Sequence, residues 1–197
     1  MRKRIRFLSV KEGVGKTLFT VLTAYYLRSL EIGFLIEELD PLNPVFTLAG
    51  HDLPVIKFFD INDVLYRKLE PRAELEKEYS TRDWTYLIAD MPAGIKPGDA
   101  VVLFQDSILD TNLNVFLTDM NSLDDTVRYA EEWKDGEKFL VVNLVPENKV
   151  DEVTEVVNRL VYGKFVSAFV TPYDDRVSFL NPAKLNWFTN MMKWILA

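Results

Sequence analysis

Lys16 and Thr17 close a short stretch, Val10-Lys11-Glu12-Gly13-Val14-Gly15-Lys16-Thr17, whose residue types suit a polyphosphate. Gly13 and Gly15 open backbone conformations closed to other residues and leave room for phosphate oxygens. Main-chain N–H groups of Glu12, Gly13, Val14, Gly15, Lys16, Thr17 and Leu18 can face an anion, and a helix starting here adds partial positive charge. Lys16 is expected to reach the β- and γ-phosphates of a nucleotide, and the Thr17 hydroxyl to hold Mg²⁺. Two departures stand out. The usual loop has glycine where this chain has Val10, and Glu12 puts a carboxylate beside the expected polyphosphate.

Binding is not hydrolysis, which also needs metal ligands and a group to position water. Two places offer carboxylates. Ile36-Glu37-Glu38-Leu39-Asp40-Pro41 ends an apolar run, and Glu38 and Asp40 point the same way if the segment is extended. One could position the attacking water and the other lie in the outer shell of the metal. The alternative is a plain turn, which Asp-Pro and Asn-Pro both favour. Trp84-Thr85-Tyr86-Leu87-Ile88-Ala89 is a second apolar run and ends at Asp90. Its carboxylate can accept from Mg²⁺-bound water, because Mg²⁺ keeps several waters. Gly94 gives the following backbone freedom to approach and leave a γ-phosphate; the alternative is an ordinary strand-to-loop transition.

These residues need strands and helices to hold them. Strand-like apolar runs at about 4–10, 34–36, 53–58, 84–89, 112–118, 138–143 and 165–170 alternate with helical stretches. The helices are expected at about 15–30, in one or two pieces between Asp60 and Tyr79 interrupted at Pro71, at 123–133 capped by Ser122, at 150–162 and at 183–196. Such alternation specifies an α/β fold of three layers, a mostly parallel sheet with helices on both faces. At 197 residues without repeat or linker, one domain over 1–197 is expected.

At this point the residues carry a family resemblance. Lys11-Glu12-Gly13-Val14-Gly15-Lys16-Thr17 resembles the deviant Walker A loop of the ParA/MinD family of P-loop ATPases. Glu38-Leu39-Asp40-Pro41 is similar to that family's second-strand motif, and Asp90-Met91-Pro92-Ala93-Gly94 to its Asp-x-Pro-Ala-Gly motif. Asn143 resembles the adenine-reading asparagine, and Val170-Thr171-Pro172-Tyr173-Asp174 the loop lying near the base, which adds Pro172 to the nucleotide contacts. The resemblance implies the P-loop NTPase fold and a Mg-ATP-dependent switch that dimerises face to face and hydrolyses ATP slowly. It gives Lys11 the role of reaching the partner's phosphates, Asp40 that of positioning water, and Thr17, Glu38 and Asp90 the metal side. The implied cofactors are ATP and Mg²⁺. The implied partners are a second copy and a small adaptor or DNA-binding protein, and the implied roles are DNA partition or spatial positioning.

Composition narrows this. The chain has no cysteine, which excludes disulfides, thiolate metal sites and an iron–sulfur cluster. The one histidine, His51, rules out an all-histidine metal site. A net charge of −7 gives no global attraction for nucleic acid. No apolar run is long enough to span a bilayer and no secretory signal is visible, so the expected location is cytoplasmic. The apolar C-terminal helix has few basic residues and reads as core or subunit interface, not as a membrane anchor. Two other functions fit the residues. Glu12 could leave a degenerate nucleotide-binding module with little turnover. Arg67, Arg72 and Arg82 could serve as the lid of a P-loop small-molecule kinase.

Overall fold

The computed structural model describes residues 2–40, 52–58, 72–174 and 182–197. Their elements run in the order β1 (Lys3–Leu8), α1 (Lys16–Ser29), β2 (Phe34–Glu38), β3 (Val55–Lys57), α2 (Arg72–Thr81), β4 (Tyr86–Asp90), α3 (Ala100–Ile108), β5 (Asn112–Thr118), α4 (Leu123–Glu132), β6 (Glu137–Val145), α5 (Val150–Val161), β7 (Ser167–Pro172) and α6 (Asn186–Leu196). The strands form one seven-stranded sheet in the order β3-β2-β4-β1-β5-β6-β7. Every pairing in it is parallel.

Strand alternation divides the core into two layers. Ile5 and Phe7 face one side, where α1 and α6 pack on them through Phe19, Leu22, Phe188 and Met192. Leu8, Leu35 and Ala89 face the other side, which is covered by α2, α3, α4 and α5. Both faces are covered, so β2 and β5 are buried at every position, as parallel strands between two helical layers must be. The connection from β1 runs to β2 on one flank, and the connection from the adjacent β4 runs to β5 on the other. In such sheets the crevice at the carboxyl ends beside this reversal is where ligands bind.

The three-layer α/β fold expected from the sequence is present. The sequence did not announce α3, because its buried positions are Val101, Val102 and Gln105. A glutamine in the third inward position hides the helical apolar spacing. Ser122 does not cap α4 with its side chain. Asp119 caps instead: its Oδ1 accepts from the Ser122 N–H at 3.0 Å and closes the short turn Met120–Ser122. The expected helix start near Asp60, the break at Pro71, His51 and Arg67 lie outside the described residues. The C-terminal helix buries Phe188, Met191, Met192 and Ile195, as a core helix does. Among the described residues no helix is long and apolar enough to cross a membrane.

Candidate functional site

The site begins where β1 stops. Ser9, fully buried, follows the strand and its hydroxyl donates to the Lys11 carbonyl at 2.7 Å. The chain then turns through Gly13 (φ 78°) and Gly15 (φ 103°), both in the left-handed region that glycine tolerates. A side chain at Gly13 would meet nothing within 4 Å, so the loop is open there. At Gly15 a Cβ would lie 2.8 Å from Asn143 Nδ2, so this glycine is needed for both space and conformation. Gly15 is also the N-cap of α1, and no side chain caps the helix. The orphan N–H groups of the first turn have no side-chain acceptor and form an anion seat.

Asn143 braces this loop from across the sheet. Its Nδ2 donates to the Val14 carbonyl at 3.0 Å, and its Oδ1 accepts from Thr171 Oγ1 at 2.7 Å. Asn143 is buried, and Pro172 follows Thr171 at the end of β7. The next residue, Leu144, is exposed and has φ 62°.

Lys16 and Thr17 lie opposite the end of β4. Thr17 Oγ1 donates to Asp90 Oδ2 at 2.8 Å, and Lys16 Nζ donates to Ser9 Oγ at 2.9 Å. Asp90 stands in register with Phe7 on one side and Glu38 on the other. Burial pushes the Asp90 carboxyl up to about 6; Thr17 and Lys16 pull against this, and Asp40 and Glu38 add to it. Burial lowers the Lys16 pKa, and Asp90, Asp40 and Glu12 oppose that. Lys16 and the carboxylates of Asp90, Asp40, Glu38 and Glu12 therefore act on one another at the carboxyl ends of β1, β2 and β4. Gly94 (φ 69°) ties the loop after β4 to the loop after β1 through its N–H, 2.8 Å from the Ser9 carbonyl.

Lys11 points away from Lys16. Its Nζ lies 2.6 Å from Asp119 Oδ2, beyond β5. Glu12 is exposed and within electrostatic reach of Lys16. The structure thus brings together Lys16, Thr17, Glu38, Asp40 and Asp90, and joins Asn143 and Thr171 to the loop from behind. Sequence reasoning missed Ser9 and Asp119. Ser9 had a signal, a hydroxyl ending an apolar strand just before a glycine loop. Asp119 had a weaker one, an acid at a strand end ahead of a capped turn. Arg72 and Arg82 flank α2, where they pair with Glu76 at 2.5 Å and Glu78 at 2.5 Å.

Mg²⁺ takes oxygen ligands, keeps several of its waters and binds with substrate phosphates, not in an all-protein cage. Among the described residues no group of three or more His, Cys, Asp or Glu could hold a metal ion unaided. The Thr17 hydroxyl and Asp90 carboxylate beside an uncapped helix end fit Mg²⁺ carried in with a polyphosphate.

No family model matches the sequence, and no curated protein matches it. Solved structures do match the fold. The MinD cell division protein of Aquifex aeolicus superposes with a TM-score of 0.62 at 20% identity, over 98% of this chain and 97% of that one. The septum site-determining protein MinD of Pyrococcus horikoshii, solved with Mg-ADP, gives a TM-score of 0.62 at 16% identity and the same coverage. A MinC:MinD complex from Aquifex aeolicus gives 0.60 at 21% identity, over 98% of this chain and 96% of that one. The fold is that of MinD-type P-loop proteins.

Proposed function

We propose that this chain is a Mg-ATP-dependent molecular switch of the ParA/MinD type. ATP binds the loop at 10–18 and controls dimerisation, and hydrolysis is slow. The work done is partition of DNA or spatial positioning of cell machinery, with a small adaptor as partner; one similar structure is a MinC:MinD complex. The observation that carries this reading is the contact of Thr17 Oγ1 with Asp90 Oδ2 at 2.8 Å, made beside an uncapped helix start. That geometry joins the phosphate seat to the metal side.

The residues divide the work. Backbone N–H groups from Glu12 to Leu18 seat the phosphates, and Lys16 neutralises their charge. Thr17 and the carboxylates of Asp90 and Glu38 orient the metal and its waters. Mg²⁺ would draw charge from the transferred phosphoryl group. Asp40 holds the attacking water. Asn143 and Pro172 border the base. Lys11 leaves Asp119 and reaches the phosphates of a second copy across a face-to-face dimer. Titration calorimetry with Mg-ATP on the native chain and on Lys16→Ala tests the seat: the variant should lose binding, and unchanged affinity would reject the site.

Glu12 supports a second reading, a nucleotide-binding module with little turnover. Its carboxylate is exposed, and a face-to-face partner would bring more phosphate charge toward it. Sedimentation with and without ATP separates the two. An ATP-dependent dimer that turns over supports the switch; nucleotide binding by a monomer without turnover supports the module.

A further inference from the structure

The largest charged cluster in the core takes no part in the site described above. β1 carries Arg4 and Arg6, both buried on the face covered by α2 and α3, and β2 carries the fully buried Glu37 beside them. Arg4 donates to the two Glu37 oxygens at 2.9 and 3.1 Å. Tyr79 of α2 donates its hydroxyl to Glu37. Gln105 of α3 completes the cluster in both directions: its Nε2 donates to Glu37 at 2.7 Å and its Oε1 accepts from Arg6 Nε at 3.0 Å. Asp106, the next residue of α3, accepts from Arg6 at 2.6 Å. The end of α3 is held too, since Arg4 Nη1 donates to the Leu109 carbonyl at 2.6 Å.

We propose that this cluster is a clamp that locks α3 to β1 and β2, so that nucleotide-driven movement is confined to residues 91–99. The loop at 91–99 follows Asp90, the metal-side carboxylate, and is held by the Gly94 N–H on the Ser9 carbonyl and by the Tyr129 hydroxyl, which donates to the Ile95 carbonyl. It ends at α3. Apolar contacts also hold α3, through buried Val101 and Val102 and the partly buried Phe104 and Ile108. The cluster supplies what the apolar contacts lack. Buried hydrogen-bonded charges tolerate little displacement, since any shift leaves a charge unpaired in low dielectric. A helix fixed at both ends of its last turn cannot follow the loop. Movement of the loop breaks the contacts at Gly94 and Ile95, whereas movement of α3 breaks the whole charged cluster.

The confinement rests on the nucleotide reading above; the clamp itself does not. Amide hydrogen exchange read by mass spectrometry tests both. In the native chain, Mg-ATP should change exchange at 10–18 and 91–99 and leave 102–108 unchanged. Gln105→Leu, which keeps the volume and removes both hydrogen bonds, should raise exchange at 102–108 by about tenfold or more and let the Mg-ATP response spread into α3. Asp106→Asn is the milder variant if the first fails to fold, and should raise α3 exchange by a smaller factor. A native α3 that responds to Mg-ATP as strongly as 91–99 overturns the proposal. So does unchanged α3 exchange in both variants. Absence of any response at 10–18 condemns the nucleotide reading instead, while raised α3 exchange in the variants still supports the clamp.

Discussion

The same strands carry charge in two neighbouring places, a buried cluster and the carboxyl-end crevice, and the two treat it differently. At the buried cluster, each charge of Arg4, Arg6 and Glu37 meets a partner of matched geometry within 3.1 Å. At the carboxyl ends, Asp90 is buried among Asp40 and Glu38 with Thr17 as its hydrogen-bond donor. The first arrangement is complete in itself. In the second, burial and neighbouring carboxylates raise the Asp90 carboxyl against the pull of Thr17 and Lys16, and the divalent ion of a metal–polyphosphate would favour its charged form. The difference separates charge that holds the fold from charge suited to a ligand, and mutation in the two places should have opposite signs.

The largest effect belongs to the buried cluster. Glu37→Leu removes the acceptor shared by Arg4, Tyr79 and Gln105 and strands a buried guanidinium. Breaking one partner of a buried pair costs about 3–5 kcal/mol. Urea denaturation should show a loss of that order, with the midpoint falling and the slope unchanged. A loss under about 1 kcal/mol would mean that the cluster reorganises freely, and the contrast would collapse.

Asp90→Asn should do the reverse. A carboxyl raised from 3.8 to about 6 binds its proton more tightly in the folded chain than in the unfolded one. Stability therefore falls as pH rises from about 4 to about 6, and the cost stays in full above that. Asparagine can still accept from Thr17 without the charge. The ligand-free variant should be about 1–3 kcal/mol more stable than the native chain above pH 6, and should show no gain near pH 4. Its Mg²⁺-dependent nucleotide affinity should drop. In the native chain that Mg²⁺ dependence should weaken as pH falls through about 6, because protonation removes the acceptor for metal-bound water.

Gly15→Ala sharpens the comparison at the loop. The new Cβ would sit 2.8 Å from Asn143 Nδ2 at a φ of 103°. Strained positive-φ geometry costs on the order of 1–3 kcal/mol. Thermal unfolding should register that loss, and nucleotide affinity should fall with it because the Asn143–Val14 brace is displaced. Full affinity in a destabilised variant would show that the brace serves the fold alone.

Sequence legibility divides along the same line. Gly13, Gly15, Lys16, Thr17 and Asp90 were readable because a phosphate seat demands those residue types at a fixed spacing after a strand. The parallel sheet was readable because strand-like apolar runs alternate with helical stretches along the chain. What escaped was polar burial. Arg4 and Arg6 look like part of a basic N-terminus, and Gln105 interrupts the apolar spacing of α3, because Arg4 and Gln105 lie 33 and 68 positions from their partner Glu37 and Arg6 lies 99 positions from Gln105. Local pattern cannot register a pairing made only by the fold. Asp119 escaped for a similar reason, since its partner Lys11 is 108 positions away.

The smallest effect on stability should come from Asp119→Asn, in the half-exposed pair with Lys11. Partial burial raises the Asp119 carboxyl pKa, but the hydrogen bonds from Lys11 and Ser122 outweigh it and the net shift is downward. Its contribution is thus present at neutral pH and lost as pH falls below the ordinary carboxylate range. Lys11 is 43% exposed and Asp119 25%, so solvent screens the pair and its loss should cost less than about 1 kcal/mol. The amide oxygen can still accept from the Ser122 N–H, which keeps the turn before α4. Lys11 would then have no anionic partner at Asp119. If Lys11 serves a second copy, the variant should dimerise at lower ATP concentration than the native chain, as read by sedimentation. Weaker ATP-dependent association would instead place Asp119 itself in the interface, and Lys11→Ala, which removes the cation altogether, would distinguish a lost partner from a lost contact.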